Sequence, residues 1–283
     1  MKQAVDVLLR GAVDYAGLFP PAKLDLADAV AKYDRYRGGD DAWMLGTFVI
    51  SLDRLEELDA ALDRRGARSA WPVSVVMTTP TGTGLVSTSR VSITAFEFPP
   101  MPARTIPTRG VAFPPAVDVF FEVLPDAELD PRLDAIAACN RFAKIRTGGL
   151  REDAFPSPSS IYRFFRSCAD RRVTCKTTAG LHHALTGRYP LTYDSHSATA
   201  QMYGFLNICM AAALVQTGAT EDDVVAVLQE SSPTAFRFGE DSAIWRGHRV
   251  STGDLSATRR LLRSFGSCSF EEPVDDLKRM QLI

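Results

Sequence analysis

The sequence predicts a (β/α)8 barrel, and three observations carry that prediction. Eight short runs rich in Val, Ile and Phe recur along the 283 residues, most of them followed by a helical or loop segment. That rhythm belongs to parallel strands joined by crossovers. Eight is also the number of strands that closes such a barrel. No GxGxxG follows any of the runs, which argues against an open dinucleotide-binding sheet. The expected organisation is one barrel domain over residues 1–283, with a mostly helical insertion over 184–264 between the seventh and eighth strands.

The first strand is read in VDYAGLF, Val13–Phe19, which stops at Pro20 and Pro21. Leu24–Arg37 sets apolar residues at helical spacing, with Asp25 and Asp28 at the end where the helix dipole favours them. Ala42–Ile50 is the second strand, and Ser51 stands where it would cap the amphipathic helix that Gly66 stops. Trp71–Met77 is the third. The turn-rich TTPTGTGLVSTSR after it has no phosphate-loop lysine and reads as a flexible connection. Val91–Phe98 is the fourth strand, followed by a proline-rich connector, and Val117–Val123 is the fifth. Asp130–Asn140 then forms a helix with Pro131 at its first position. FAKIR, Phe142–Arg146, is the sixth strand, SPSSIYRFFRSCADR a helix, and VTCKTTAG, Val173–Gly180, the seventh. From His182 to about Ser264 the rhythm breaks into helical patterns: SATAQMYGFLNICMAAALVQTG, a segment opened by a Thr220 cap, and SATRRLLRS. Phe265–Phe270 is the eighth strand, and EEPVDDLKRMQL closes as a helix.

Composition narrows the function. At 46% hydrophobic and 23% charged residues the chain is an ordinary globular protein. Its 32 basic and 34 acidic residues leave a net charge of −2, and no basic run supports a nucleic-acid partner. The five scattered cysteines lack the paired spacing of a zinc ribbon and fit reduced thiols, so a cytoplasmic location is expected. Asp6, Arg10 and Asp14 interrupt the opening residues, unlike a signal peptide. Gly204–Val215 is apolar but too short to cross a bilayer, so no membrane partner is expected. It reads as a core helix or a subunit contact, the latter leaving room for a homo-oligomer. No motif calls for a cofactor.

Barrel chemistry sits at the C-terminal ends of the strands. The polar residues there are Asp14, Glu97, Glu122, Lys144, Arg146, Thr147, Lys176, Thr178, His182 and, on strand eight, Ser267 and Ser269. Side chains alternate along a strand, so Phe142, Lys144 and Arg146 share one face, as do Lys176 and Thr178. Burial lowers a lysine's pKa, and a second ammonium nearby lowers it further, which favours the neutral amine of Schiff-base chemistry. The plainer expectation is that both lysines stay protonated against Glu97, Glu122 or a bound anion. Arg146 beside them predicts a positive mouth that takes a small phosphorylated or carboxylated ligand. His182 and His183 point to opposite sides of the chain, so at most one joins the site. A metal would need His196 or Glu122 as well, and none is expected.

AKIRTGG, CKTTAG and FGSCS resemble the last three strand motifs of the deoxyribose-phosphate aldolase family of class I aldolases. The resemblance is densest over Phe142–His183, thinner over Phe265–Phe270, and elsewhere one of fold. It implies a (β/α)8 barrel with Lys144 as Schiff-base nucleophile and Lys176 as its electrostatic partner. It implies that Gly180, Gly266 and Ser267 bind a substrate phosphate, and that Glu122 is a fifth-strand carboxylate. The family's fourth-strand aspartate falls on Ala95, with Glu97 two residues on along the same face. Arg146, the two histidines and the long insertion are departures. KTTAGL is also similar to phosphoribosyltransferase barrels of the quinolinate type, which bind anionic sugars without an imine. Three readings follow: an aldolase-like lyase, a transferase, decarboxylase or isomerase that uses the same cations as an anion clamp, or a barrel that binds ligand without turnover.

Overall fold

The computed structural model describes residues 2–67, 69–78 and 88–283. Seven barrel strands come early in the chain: β1 (Val13–Tyr15), β2 (Leu45–Ser51), β3 (Trp71–Val76), β4 (Val91–Phe98), β5 (Asp118–Glu122), β6 (Phe142–Arg146) and β7 (Cys175–Thr178). Five short strands and a closing one follow: β8 (Gly187–Pro190), β9 (Thr199–Met202), β10 (Phe236–Phe238), β11 (Ser242–Trp245), β12 (His248–Ser251) and β13 (Leu262–Ser267). Strands β1 to β7 and β13 form one closed parallel barrel in the order β1-β13-β7-β6-β5-β4-β3-β2. This is the (β/α)8 architecture the sequence predicts. Most of the turn-rich connection read after the third strand lies outside the described residues.

The helices are α1 (Gln3–Leu9), α2 (Leu26–Arg37), α3 (Leu55–Arg64), α4 (Ile106–Gly110), α5 (Leu129–Ala138), α6 (Pro158–Arg171), α7 (Phe205–Gln216), α8 (Glu221–Leu228), α9 (Thr252–Leu261) and α10 (Glu271–Arg279). Their ends follow local chemistry. Asp25 caps α2 by accepting the Asp28 amide at 2.8 Å, and Ser157 caps α6 just before Pro158. Thr220 and Asp223 form a reciprocal capping box on α8. Two expected starts differ. Ser51 makes no side-chain cap, because a 3-10 turn over Leu52–Arg54 separates it from α3. Helix α5 begins at Leu129, ahead of Pro131.

The insertion departs most from expectation. Helices α7, α8 and α9 are present, but so are an antiparallel hairpin, β8–β9, and an antiparallel sheet, β10-β11-β12. These strands have three or four residues each, too few for a period-two pattern to stand out. TAQM, read as the start of a helix, pairs instead with GRYP and turns Ala200 and Met202 inward. The last barrel strand starts at Leu262, three residues before the expected Phe265.

The apolar helix α7 belongs to the core. Phe205 to Val215 are all buried, and the Phe205 ring stacks on Phe265 of β13 with centroids 5.1 Å apart. The polar Asn207 inside it is fully engaged. Its Nδ2 donates to the Val227 and Glu230 carbonyls at 2.7 and 2.8 Å, and its Oδ1 accepts the Thr186 amide at 2.9 Å. Among the described residues no helix is long and apolar enough to cross a membrane.

Candidate functional site

A cavity of about 300 Å³ opens at the C-terminal ends of the barrel strands. Lys144 and Lys176 lie in its floor with Glu97, while Arg146, Thr178, Gly180, Gly266 and His182 line its walls. The strand register explains the grouping. Glu122 pairs with Lys144 across β5–β6, and Lys144 with Lys176 across β6–β7, so all three side chains share the interior face.

The charged groups form one continuous network. Lys176 Nζ sits 2.6 Å from Asp14 Oδ2 and 2.8 Å from Glu97 Oε1. Lys144 Nζ sits 3.2 Å from Glu97 Oε2 and 3.0 Å from Glu122 Oε2. Glu122 uses its other oxygen to hold Arg146 Nε at 3.1 Å. Hydroxyls complete the carboxylates. Ser74 donates to Glu97 Oε1 at 2.7 Å, Ser264 to Asp14 Oδ2 at 2.6 Å, and the Thr47 hydroxyl and amide both reach Asp14 Oδ1.

This geometry sets the charge states. Burial alone would push the Glu97 pKa up, but Lys176 and Lys144 more than reverse this, and Glu97 is held well below the ordinary carboxylate range. Burial disfavours the Lys176 ammonium, yet Asp14 and Glu97 raise its pKa above the ordinary lysine range. The expectation that each lysine lowers the other therefore fails for Lys176, because Glu97 stands between the two amines. Nor is the mouth strongly positive. Lys144, Lys176 and Arg146 face Asp14, Glu97 and Glu122, and each cation touches a carboxylate.

A second cluster lies on the wall. His182 Nδ1 is 3.4 Å from Glu272 Oε2 and 3.4 Å from Ser267 Oγ, with Cys268 Sγ at 3.7 Å. Tyr193, in the turn between β8 and β9, donates to Glu272 Oε2 at 3.0 Å. Burial opposes the imidazolium, but the hydrogen bonds and charges of Cys268 and Glu272 push the His182 pKa up to about 10. His183 faces away, stacked on Tyr189 and 3.4 Å from Asp276. Among the described residues no cluster of three or more His, Cys, Asp or Glu is placed to hold a metal ion.

The predicted residues thus divide into three groups. Lys144, Lys176, Glu97, Arg146, Thr178, Gly180, Gly266 and His182 line the cavity. Asp14 and Glu122 stand behind the wall and hold its cations, and Ser267 is buried beside His182. Thr147 turns away, donating its hydroxyl to the Ala179 carbonyl at 2.8 Å, where it ties the β6 end to the β7 turn. That turn needs its glycine. Gly180 has φ +75, and its Cα lies against the Gly148 backbone with the Phe155 ring beside it.

Ser74, Ser264, Thr47, Cys268, Glu272 and Tyr193 were not foreseen. Ser74 carries the one readable signal, a lone polar residue inside WPVSVVM. Ser264 fell outside the expected eighth strand. No protein-family model matches the chain, and no curated protein matches it at a significant level. The likeness to the aldolase family therefore rests on the strand motifs alone, and the barrel by itself does not select a reaction.

Proposed function

We propose that the barrel is a class I aldolase-like lyase acting on a small anionic carbonyl compound through a Schiff base at Lys144. The observation that carries this reading is Lys144 itself, an amine in the cavity floor flanked by Glu97 at 3.2 Å and Glu122 at 3.0 Å. Glu122, the nearer of the two carboxylates to Lys144 and the one that does not also hold Lys176, is the proton carrier. Lys144 gives a proton to Glu122 and attacks the carbonyl carbon. A proton then passes from the new ammonium nitrogen to the oxygen, and Glu122 returns its own as water leaves. The product is a protonated imine with Glu122 again a carboxylate. The iminium draws the electron pair of the carbon–carbon bond as it breaks, and the carbinol beyond that bond becomes a carbonyl. Glu122, again a carboxylate, takes the carbinol's hydroxyl proton and passes it to the enamine carbon. Lys176, fixed by Asp14 and Glu97, supplies the constant positive charge that the resemblance implies, and Glu97 fills the place of the fourth-strand carboxylate. His182, which follows β7 and lines the cavity, is a hydrogen-bond donor to the far end of the substrate. The five unpaired thiols suit a reducing, cytoplasmic setting.

Lys144→Ala should abolish imine trapping by cyanoborohydride and lower turnover by a factor of about 100 or more. Full activity in that variant would sink the proposal. The anion-clamp reading draws its support from the Lys176 ion pairs at 2.6 and 2.8 Å. It predicts ligand-induced stabilisation, with no hydride-stable adduct on any lysine.

A further inference from the structure

We infer that the site takes a 2-oxo monocarboxylate with a short apolar chain, its carboxylate on Arg146, rather than a phosphorylated sugar. The inference rests on the imine reading, because it sets the substrate's carbonyl at Lys144.

Glu122 holds Lys144 through one oxygen and Arg146 Nε through the other, at 3.0 and 3.1 Å. The amine and the guanidinium are thus neighbours across a single carboxylate. A ligand with carbonyl and carboxylate on adjacent carbons matches that spacing. Arg146 spends only its Nε edge on Glu122, its side chain is 62% exposed, and it lines the cavity. The terminal nitrogens are therefore positioned to take a carboxylate in two parallel hydrogen bonds. Thr178, its register partner on β7, adds a hydroxyl at the same level.

Proton transfer gives the carboxylate a further purpose. When Glu122 accepts the proton from Lys144 it becomes neutral, and Arg146 loses its counter-charge. A substrate carboxylate supplies that charge during attack, and Glu122 recovers it when water leaves. A single negative charge is what this exchange accommodates. A phosphate dianion would find every cation of the floor already facing a carboxylate.

The rest of the cavity agrees. Phe19, Val49, Val76, Leu150, Leu191 and Met202 make much of its lining apolar. A polyhydroxylated chain would leave hydroxyls unpaired there. After β13, where the aldolase resemblance would put a phosphate, the first turn of α10 carries Glu271 and Glu272. Glu272 already occupies His182 and Tyr193, so a carboxylate of the protein stands where an anion would bind.

The test is cyanoborohydride trapping with four probes: pyruvate, 2-oxohexanoate, hexan-2-one and glyceraldehyde 3-phosphate. Each is titrated on the wild-type protein and on Arg146→Gln, with the adduct mapped by peptide mass. We expect Lys144 to be labelled at the lowest concentration by 2-oxohexanoate. Arg146→Gln should raise its half-labelling concentration about tenfold or more beyond any change for hexan-2-one, which has no carboxylate and senses the substitution only through Glu122. Stronger labelling of Lys144 by glyceraldehyde 3-phosphate would overturn the substrate class while the imine stands. Equal effects of the substitution on 2-oxohexanoate and hexan-2-one would overturn the carboxylate contact. No adduct from any probe would overturn the imine and this inference together.

Discussion

Lys176 is 1% exposed, and its ammonium is stabilised by two carboxylates that are themselves buried. Taking such a charge away is more costly than removing a surface pair, because the partners stay behind in a poorly solvated interior. Lys176→Met should therefore destabilise the barrel by about 3–5 kcal/mol, read from the midpoint of urea unfolding. A change below about 1 kcal/mol would mean that water reaches Asp14 and Glu97 and solvates them. The same residue shows what a sequence can reveal. A lysine within an apolar run stands out, and its register follows from alternation, so Lys144 and Lys176 could be placed on one face from FAKIR and CKTT alone. Their partners could not. Asp14 lies 162 positions from Lys176, and Glu97 reaches both lysines from β4 across the interior, a distance set by strand tilt.

Among the elements, long periodic segments were legible and short ones were not. Helix α6 is legible in SPSSIYRFFRSCADR, and its end shows a local cost. Arg172 closes the helix in the left-handed region at φ 56, with an exposed side chain. A side chain there crowds the neighbouring backbone, and glycine does not. Arg172→Gly should raise stability by about 0.5–1 kcal/mol in thermal or urea melts, after allowing for the greater freedom of glycine when unfolded. A loss would point to an undetected role for the arginine. In α7 the effect runs the other way. Asn207→Leu leaves the Thr186 amide and two carbonyls without their partner, and should cost about 3 kcal/mol in the same melts. An unchanged midpoint would show that other groups or water satisfy those backbone atoms. The hairpin β8–β9 was missed because four-residue strands carry no usable period. Yet it supplies Pro190, Leu191 and Met202 to the cavity wall. The part of the site that shapes the ligand was therefore the part least visible in the sequence.

For the whole molecule, the His182 cluster joins three regions: the β7 turn, the inserted hairpin through Tyr193, and α10 through Glu272. His182 has its pKa raised from 6.5 to about 10, so the folded protein keeps a proton that the unfolded chain releases above 6.5. The resulting stabilisation is fully present below pH 6.5 and is lost as pH rises through 10. Melting temperature should fall across that window, and His182→Gln should flatten the fall. A variant with the same slope as the wild type would assign the pH dependence to other groups.

The closed strand order has a consequence for how the chain is made. Strand β1 pairs with β13, and Ser264 completes the hydrogen bonding of Asp14 from 250 positions away. A ribosome delivers β1 first and β13 only after the whole insertion has emerged. Until then β1 and β7 are open edges, and the Asp14–Lys176 pair lacks its last donor. The polar centre of the barrel must remain wet through most of synthesis and dry out in one late step, when the final strand slides between the first and the seventh. Long-range closure of this kind is slow, and it exposes strand edges to other chains while it waits.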